Sequence, residues 1–164
     1  MKTKLLFAFL GIILSSCETK IKKEYITEPC PEKEEISTAQ LKSSLTEKGF
    51  QIFDYVDEKT GDTILMQQYF IAFLKKGPTR SQSKEEADSL QKLHLAHLGR
   101  MYEKGFADIS GPFGDDGDIR GITIYNVPTQ KMADSLANMD PMVKAGRLSI
   151  EIRPWWAAKG FNLR

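Results

Sequence analysis

The segment from Leu90 to Gly105 constrains the fold most, because its apolar residues recur with the period of an α-helix. At about 100° per residue, seven apolar side chains share one broad face. They are Ala87, Leu90, Leu93, Leu95, Leu98, Met101 and Tyr102. His94 falls near the middle of this face, and His97 lies beside it. Burying an imidazole ring without a partner costs about 1 to 3 kcal/mol, so another part of the chain must supply a hydrogen bond.

The two histidines also have interpretations that involve no catalysis. A lone histidine on an apolar helix face is commonly a core residue that is bonded to the backbone. Histidines three residues apart can bind a metal ion, but no cysteine and no HExxH pattern accompanies His94 and His97, so we predict no metal site. The chain has no phosphate loop and no dinucleotide fingerprint, and we predict no cofactor.

The first residues have the order of a bacterial export signal. Met1 to Lys4 are basic, Leu5 to Leu14 are apolar, and Leu14-Ser-Ser-Cys17 resembles a lipobox, in which the cysteine is lipidated and becomes the mature N-terminus. The apolar run is too short to span a bilayer. We therefore expect a lipoprotein signal peptide over residues 1–17, with a plain secretory signal as the alternative. The mature protein would be held at the bacterial cell envelope, on the periplasmic or outer-membrane face, by its lipid anchor alone.

Residues 18–36 are rich in lysine and glutamate and contain prolines, which is typical of a flexible linker. Cys30 lies in this linker, has no intramolecular partner once Cys17 is lipidated, and is expected to take no part in chemistry. The chain has 23 basic and 22 acidic residues, a net charge of +1, so its charge indicates neither nucleic acid nor anionic lipid as a partner. The remainder is long enough for one domain with its own core.

An N-terminal extension precedes the main domain. Ser37-Thr-Ala-Gln40 is a capping box, and Gly49 is placed to end the helix that it begins. Phe50–Val56 alternates like a strand, and a second extended run follows a turn. We therefore expect a helix and a hairpin over residues 37–64, followed by the main domain over residues 65–164.

The main domain alternates between strand and helix patterns. Strand patterns cover Tyr69–Leu74, Phe106–Ser110, Gly121–Val127 and Leu148–Ile152, while helix patterns cover Ser83–Gly105 and about Thr129–Met139. Asp140-Pro141 ends the second helix, because a residue before proline is disfavoured in helical geometry. The β-α-β-β-α-β order predicts an α+β, ferredoxin-like fold, with an antiparallel sheet and both helices on one face.

The sheet face that no helix packs against would leave large apolar residues exposed unless another surface buries them. Its large apolar residues, with Trp155 and Trp156, suggest that either a second copy or the N-terminal hairpin covers it, and we favour a homodimer. Lys75, Lys76 and Arg80 are suited to meeting an anionic ligand, but we interpret them as a solvated turn.

Several motifs occur in the order and at the spacing of a known family. They are His94-Leu-Ala-His-Leu98, Gly105, Ser110-Gly-Pro112, Asp140-Pro-Met-Val-Lys-Ala-Gly146 and Glu151-Ile-Arg-Pro-Trp155. From Met66 to Trp156 the chain resembles the YCII-related domain family. The resemblance implies a ferredoxin-like domain of the dimeric α+β barrel superfamily. It also implies a site centred on a histidine and an aspartate, with lyase-type or hydrolytic chemistry on a small molecule.

The resemblance places the family histidine on His94 and the family aspartate on Asp140, which would be the catalytic residues. It also matches the family's turn after the second strand to Gly111-Pro112. The candidates for substrate binding are His97, Asp108, Ser110, Gly111 and Pro112. Spacing alone does not choose between Asp108 and Asp140 as the partner of His94.

Two classes of function remain open at this point. In the first, the protein is an enzyme: a neutral imidazole whose tautomer is fixed by a carboxylate removes a proton from a substrate carbon or from water. In the second, it is a non-catalytic lipoprotein of the cell envelope that binds a ligand or another protein, and His94 is a core residue. The two classes differ in whether the His94 ring opens into a solvent-connected cavity beside a carboxylate.

Overall fold

A computed structural model describes residues 36–161 and residue 163. The elements in chain order are α1 Thr38–Glu47, β1 Ile52–Val56, β2 Thr63–Lys76, α2 Lys84–Glu103, β3 Ala107–Pro112, β4 Ile119–Tyr125, α3 Gln130–Ala137, α4 Pro141–Lys144 and β5 Leu148–Ala158. The expected signal peptide with Cys17, and all but the last residue of the expected linker, lie outside the described residues.

One antiparallel sheet of five strands is built around β2. Strand β5 pairs along one side of β2, while the other side pairs first with β1 and then with β4, and β3 pairs with β4. The strand order β5-β2-β4-β3, with the helices between strands, is the ferredoxin-like arrangement. The predicted α+β fold class is therefore confirmed, and the hairpin joins the main sheet because β2 belongs to both.

Alternate residues of the strands bury one face of the sheet beneath the helices. Phe70 and Ala72 of β2 pack with Tyr125 of β4, Met101 of α2 and Ala133 of α3, all deeply buried. Fully burying one large apolar side chain stabilises a fold by about 1.5 to 3 kcal/mol, so this layer forms the main core. The two-residue period of the strands thus determines which side chains face α2.

The helix ends follow from local sequence. Ser37 with Gln40 and Ser83 with Glu86 form reciprocal capping boxes at the starts of α1 and α2. After α2, Gly105 has a φ of +69°, in the left-handed region that favours glycine. The capping box predicted at Ser37 is confirmed. No helix in the described part of the chain is long and apolar enough to cross a membrane.

The buried face of α2 is narrower than the sequence pattern predicted. Leu93, Leu95 and Tyr102 were expected to be buried, but they are 50%, 57% and 69% exposed. The buried residues of α2 are His94, His97 and Met101. The three exposed side chains point about 80° to 120° away from the centre of this stripe. The histidines themselves, rather than leucines, therefore form the middle of the buried face.

Several predicted element ends were also wrong. Strand β5 does not stop at Ile152 but continues to Ala158, with Pro154 paired opposite Phe70. Within the described residues β5 has a strand partner on one side only, and proline is tolerated on such an edge strand. The second helix, expected to extend to about Met139, ends at Ala137 as α3, and Met139 beyond it is exposed.

The sheet face without helices remains partly open. Ile71, Phe73, Ile122 and Ile124 are only partly buried on it, and Ile109 is exposed. Strand β1 pairs edge to edge with the first half of β2, so it extends the sheet and does not lie across these residues.

Candidate active site

A buried histidine and a buried aspartate meet between α2 and α4. Nδ1 of His94 lies 2.6 Å from Oδ2 of Asp140, and the two residues are 8% and 2% exposed. Asp140 is the N-cap of α4, and its Oδ1 accepts a hydrogen bond of 2.8 Å from the backbone amide of Met142. Pro141 suits the first helical position, since its φ is already helical and it has no amide to satisfy. Both oxygens of the Asp140 carboxylate are therefore held in place.

The charge state of Asp140 determines the tautomer of His94. Burial raises the pKa of the Asp140 carboxyl group, but hydrogen bonds from His94 and Met142 and the charges of both histidines outweigh it, and the pKa is lowered. The carboxylate is then ionised at neutral pH and can only accept hydrogen bonds. Nδ1 of His94 must carry the proton of the neutral ring, which leaves the lone pair on Nε2.

His94 lines a cavity of about 380 Å³ between α2 and the helix-covered face of the sheet. Small-molecule sites commonly have volumes of about 300 to 1,000 Å³. Nε2 of His94 has no hydrogen-bond partner among residues 36–161 and 163, and it is not sealed from solvent. Asp140 does not line the cavity but lies behind the ring.

The end of β3 lies in the same cavity, and Gly111 and Pro112 belong to this strand and not to the turn that was predicted after it. Ser110, Gly111 and Pro112 all line it, opposite an apolar wall that includes Leu74 and Leu148. The hydroxyl group of Ser110 also lies 3.1 Å from Oγ1 of Thr123, to which it donates.

Three arginines complete the lining of this cavity: Arg80, Arg120 and Arg147. Each lies close to a strand end, because β2 ends at Lys76, β4 begins at Ile119 and β5 begins at Leu148. Because β2 runs antiparallel to β4 and β5, the end of β2 and the starts of β4 and β5 lie at the same end of the sheet. Sequence reasoning passed over Arg120 and Arg147 and interpreted Arg80 as part of a solvated turn. The sequence signal that could have identified them as site residues is that each arginine lies close to a strand end that meets the others at the same end of the sheet.

The segment after β2 lies directly against the turn before β5. The amide of Gly77 donates to the carbonyl oxygen of Arg147 at 3.0 Å, and the amide of Thr79 donates to that of Gly146 at 2.9 Å. A Cβ atom at Gly77 would collide with the carbonyl oxygen of Gly146. The missing side chain of Gly77 therefore allows the approach that brings Arg80 next to Arg147.

His97 and Asp108, the other candidates, lie outside this cavity. His97 is 1% exposed, and its Nε2 is buried without a hydrogen-bond partner in the described part of the chain. Burial lowers the pKa of His97, and the opposing effect of Asp140 does not restore it. Asp108 accepts hydrogen bonds of 3.2 and 3.3 Å from the side chain of Asn126 and lines a separate, more open recess beside α2. Of the two carboxylates considered, Asp140 is the one that contacts His94.

Side chains that bind metals do not cluster in the regions the structure covers. Over residues 36–161 and 163, no three histidine, cysteine, aspartate or glutamate side chains are arranged to hold a metal ion.

Comparison with known proteins identifies a family and similar solved structures. The model of the YCII-related domain family matches residues 69–156, more than half of the chain. One of the similar solved structures is 5-chloro-2-hydroxyhydroquinone dehydrochlorinase (TftG) from Burkholderia phenoliruptrix AC1100 in complex with 2,5-dihydroxybenzoquinone. It is 24% identical, and the match covers 53% of this chain and 92% of that chain with a TM-score of 0.40. No curated protein matches this chain.

Proposed function

Because this chain belongs to the YCII-related domain family, we propose that it is a small-molecule enzyme of lyase or hydrolase type, with His94 as its general base. The observation that carries the proposal is the 2.6 Å contact between Nδ1 of His94 and Asp140, made by a ring that also lines a cavity. A histidine with only a structural role in the core would need the hydrogen bond to Asp140 but not a cavity beside its ring.

The proposed proton transfer follows from the tautomer of His94. With the Nδ1 proton donated to Asp140, the lone pair on Nε2 accepts a proton from a substrate carbon or from a water molecule beside the substrate. In a lyase-type step, the electrons of the broken C–H bond form a double bond while the leaving group departs with its own electron pair. In a hydrolytic step, the deprotonated water attacks instead. The imidazolium then returns its proton to the leaving group or to water.

Asp140 is a positioning residue in this proposal, since it contacts the ring and not the cavity. Its carboxylate fixes the tautomer of His94 and stabilises the positive charge that forms on the ring during proton transfer. The amide of Met142 keeps the second carboxylate oxygen in place.

Turnover of a panel of small molecules by wild-type and variant proteins tests the proposal. We expect His94→Gln to lower turnover by about 10² to 10⁴-fold, the usual contribution of a general base. Asp140→Asn should lower kcat with a smaller effect on KM, because it acts through the ring. Lys92→Gln, at an exposed position of α2, is the matched control and should leave turnover unchanged.

Full turnover by a folded His94→Gln protein would contradict the assignment of the base. Tight binding of a ligand that wild-type protein never converts would instead favour the non-catalytic binding module.

The proposal also includes a lipid anchor at Cys17, which is supported by the order of the basic, apolar and lipobox segments in residues 1–17. Cys17→Ser should move the protein from the membrane fraction to the soluble fraction of the producing cell, while Cys30→Ser should not. Mass spectrometry of the mature N-terminus checks the modification directly, and an unmodified N-terminus at another residue would contradict it.

We propose further that a second copy covers the sheet face without helices, because several isoleucines and Phe73 remain partly exposed there. Light scattering should then give the mass of a dimer, and Phe73→Lys should give that of a monomer. A monomeric wild-type protein would rule this out.

A further inference from the structure

We propose that the ligand of the His94 cavity carries an oxyanion, a carboxylate or a phosphate, and that Arg80 and Arg147 bind it. This inference concerns the class of substrate that the proposed enzyme binds in the cavity beside His94, and it therefore rests on the proposed function.

The charged side chains described in the lining of the cavity are all positive. Arg80, Arg120 and Arg147 contribute three guanidinium groups, and among the lining residues that the structure describes there is no aspartate or glutamate. The remaining wall is largely apolar. A cavity with this lining favours a ligand with a negative group at one end and an apolar body at the other.

Two of these three arginines have no acidic partner within the described residues. Nη1 of Arg80 donates to the backbone carbonyl oxygen of Arg147 at 3.2 Å. Nη1 of Arg147 donates to Oε1 of Gln82 at 3.1 Å. Because a guanidinium group has five N–H donors, each arginine keeps most of its donors for another acceptor.

The third arginine differs from this pair. Nη1 of Arg120 lies 3.2 Å from a carboxylate oxygen of Asp116, and it also donates to the backbone carbonyl oxygens of Asp115 and Gly117. Its charge is already balanced by the loop that precedes β4. The oxyanion is therefore assigned to Arg80 and Arg147 rather than to all three.

Hydrogen bonds connect the two arginines to each other and to the segment after β2. Arg147 is half-buried and is held by Gln82, and the exposed Arg80 is tied to the backbone of Arg147. Two adjacent cations repel each other, and a half-buried cation without a counter-charge is unfavourable. An oxyanion relieves both effects, and the planar guanidinium group matches its geometry through two parallel hydrogen bonds.

Binding of three probes to the full-length chain tests the inference: inorganic phosphate, benzoate and benzamide. Benzamide has nearly the shape of benzoate but no charge. We expect benzoate or phosphate to bind and benzamide to bind at least 10-fold more weakly, in line with the loss of hydrogen bonds to a charged group, worth about 10- to 100-fold each.

The variants Arg147→Gln and Arg80→Gln should each weaken anion binding by about 10- to 100-fold. Arg147→Lys should recover part of the loss, because it restores the charge but not the two parallel donors. Arg100→Gln is the matched control: it removes the same charge from an exposed position of α2 that does not line the cavity. Its anion affinity should equal that of the wild-type protein.

Binding of benzoate and benzamide with the same measurable affinity would overturn the inference, and so would failure of both anions to bind. Unchanged anion affinity in the folded Arg80→Gln and Arg147→Gln proteins would also overturn it. Binding of only one anion supports it and identifies the oxyanion. These are binding measurements, so they stand even if His94→Gln retains full turnover and the proposed function fails.

Discussion

His94 and His97 lie three residues apart on α2 and are both buried, yet their surroundings are opposite. His94 has an ionised carboxylate at 2.6 Å and a cavity beside its ring. His97 lies in sealed core, with an Nε2 that has no partner in the described residues. Neighbours from distant parts of the chain, and not position on a helix face, therefore determine what a buried imidazole can do.

The largest expected effect of this difference is on stability. His94→Leu leaves the Asp140 carboxylate buried without its partner, which should lower the free energy of unfolding by about 3 kcal/mol or more at neutral pH. His97→Leu removes a ring with an unpaired nitrogen and should cost less than about 1 kcal/mol. Urea unfolding at pH 7 measures both values. Replacing both His94 and Asp140 with leucine should recover part of the first loss, and equal losses for the two single variants would show that the surroundings do not matter.

A second expected effect is on the pH dependence of stability. The folded pKa of His97 is lowered, so below pH 6.5 the unfolded chain binds a proton there that the folded chain does not, and stability falls as the pH falls. The slope is at most about 1.4 kcal/mol per pH unit for one group. The folded pKa of Asp140 is lowered from 3.8, so its contribution is present above that pH and is lost as the pH falls through its folded pKa.

Unfolding free energies measured across the acid range separate these two windows. His97→Leu should flatten the dependence just below pH 6.5, and it should also reduce the acidic part, because the charge of His97 helps to lower the pKa of Asp140. An unaltered slope near pH 6 in that variant would mean that His97 is protonated in the folded protein.

The smallest expected effect concerns the leucine beside the histidines. Leu93 is half-exposed, so Leu93→Gln should change the free energy of unfolding by no more than about 0.5 kcal/mol. Thermal unfolding measures the change. A loss of the size expected for His94→Leu would show that the sequence pattern had identified the buried face correctly.

The order of elements could be predicted because it depends on short-range patterns. The capping boxes at Ser37 and Ser83 need only four neighbouring residues, and the alternation in Gly121–Val127 needs only one strand. The end of β5, by contrast, was predicted wrongly because it depends on the position of Pro154 in the sheet and not on a short-range pattern. A proline normally ends a strand, and only the sheet shows that β5 has a single neighbour there.

The site was harder to predict because its parts come from distant segments. Asp108 and Asp140 are the same residue type, and choosing between them required knowing that α4 begins beside the middle of α2. Arg120 and Arg147 belong to different strands and carry no local pattern. They come together only through the antiparallel pairing of three strands.

Gly77 makes ligand recognition and proton transfer separable by mutation. A methyl group at this position would push the chain after β2 away from the carbonyl oxygen of Gly146, break the amide contact to Arg147 and move Arg80 out of place. His94 and Asp140, held by α2 and α4, would stay as they are. In the proposed enzyme, one added carbon atom at a residue that contacts no ligand would yield a protein whose base is intact but which no longer retains its substrate.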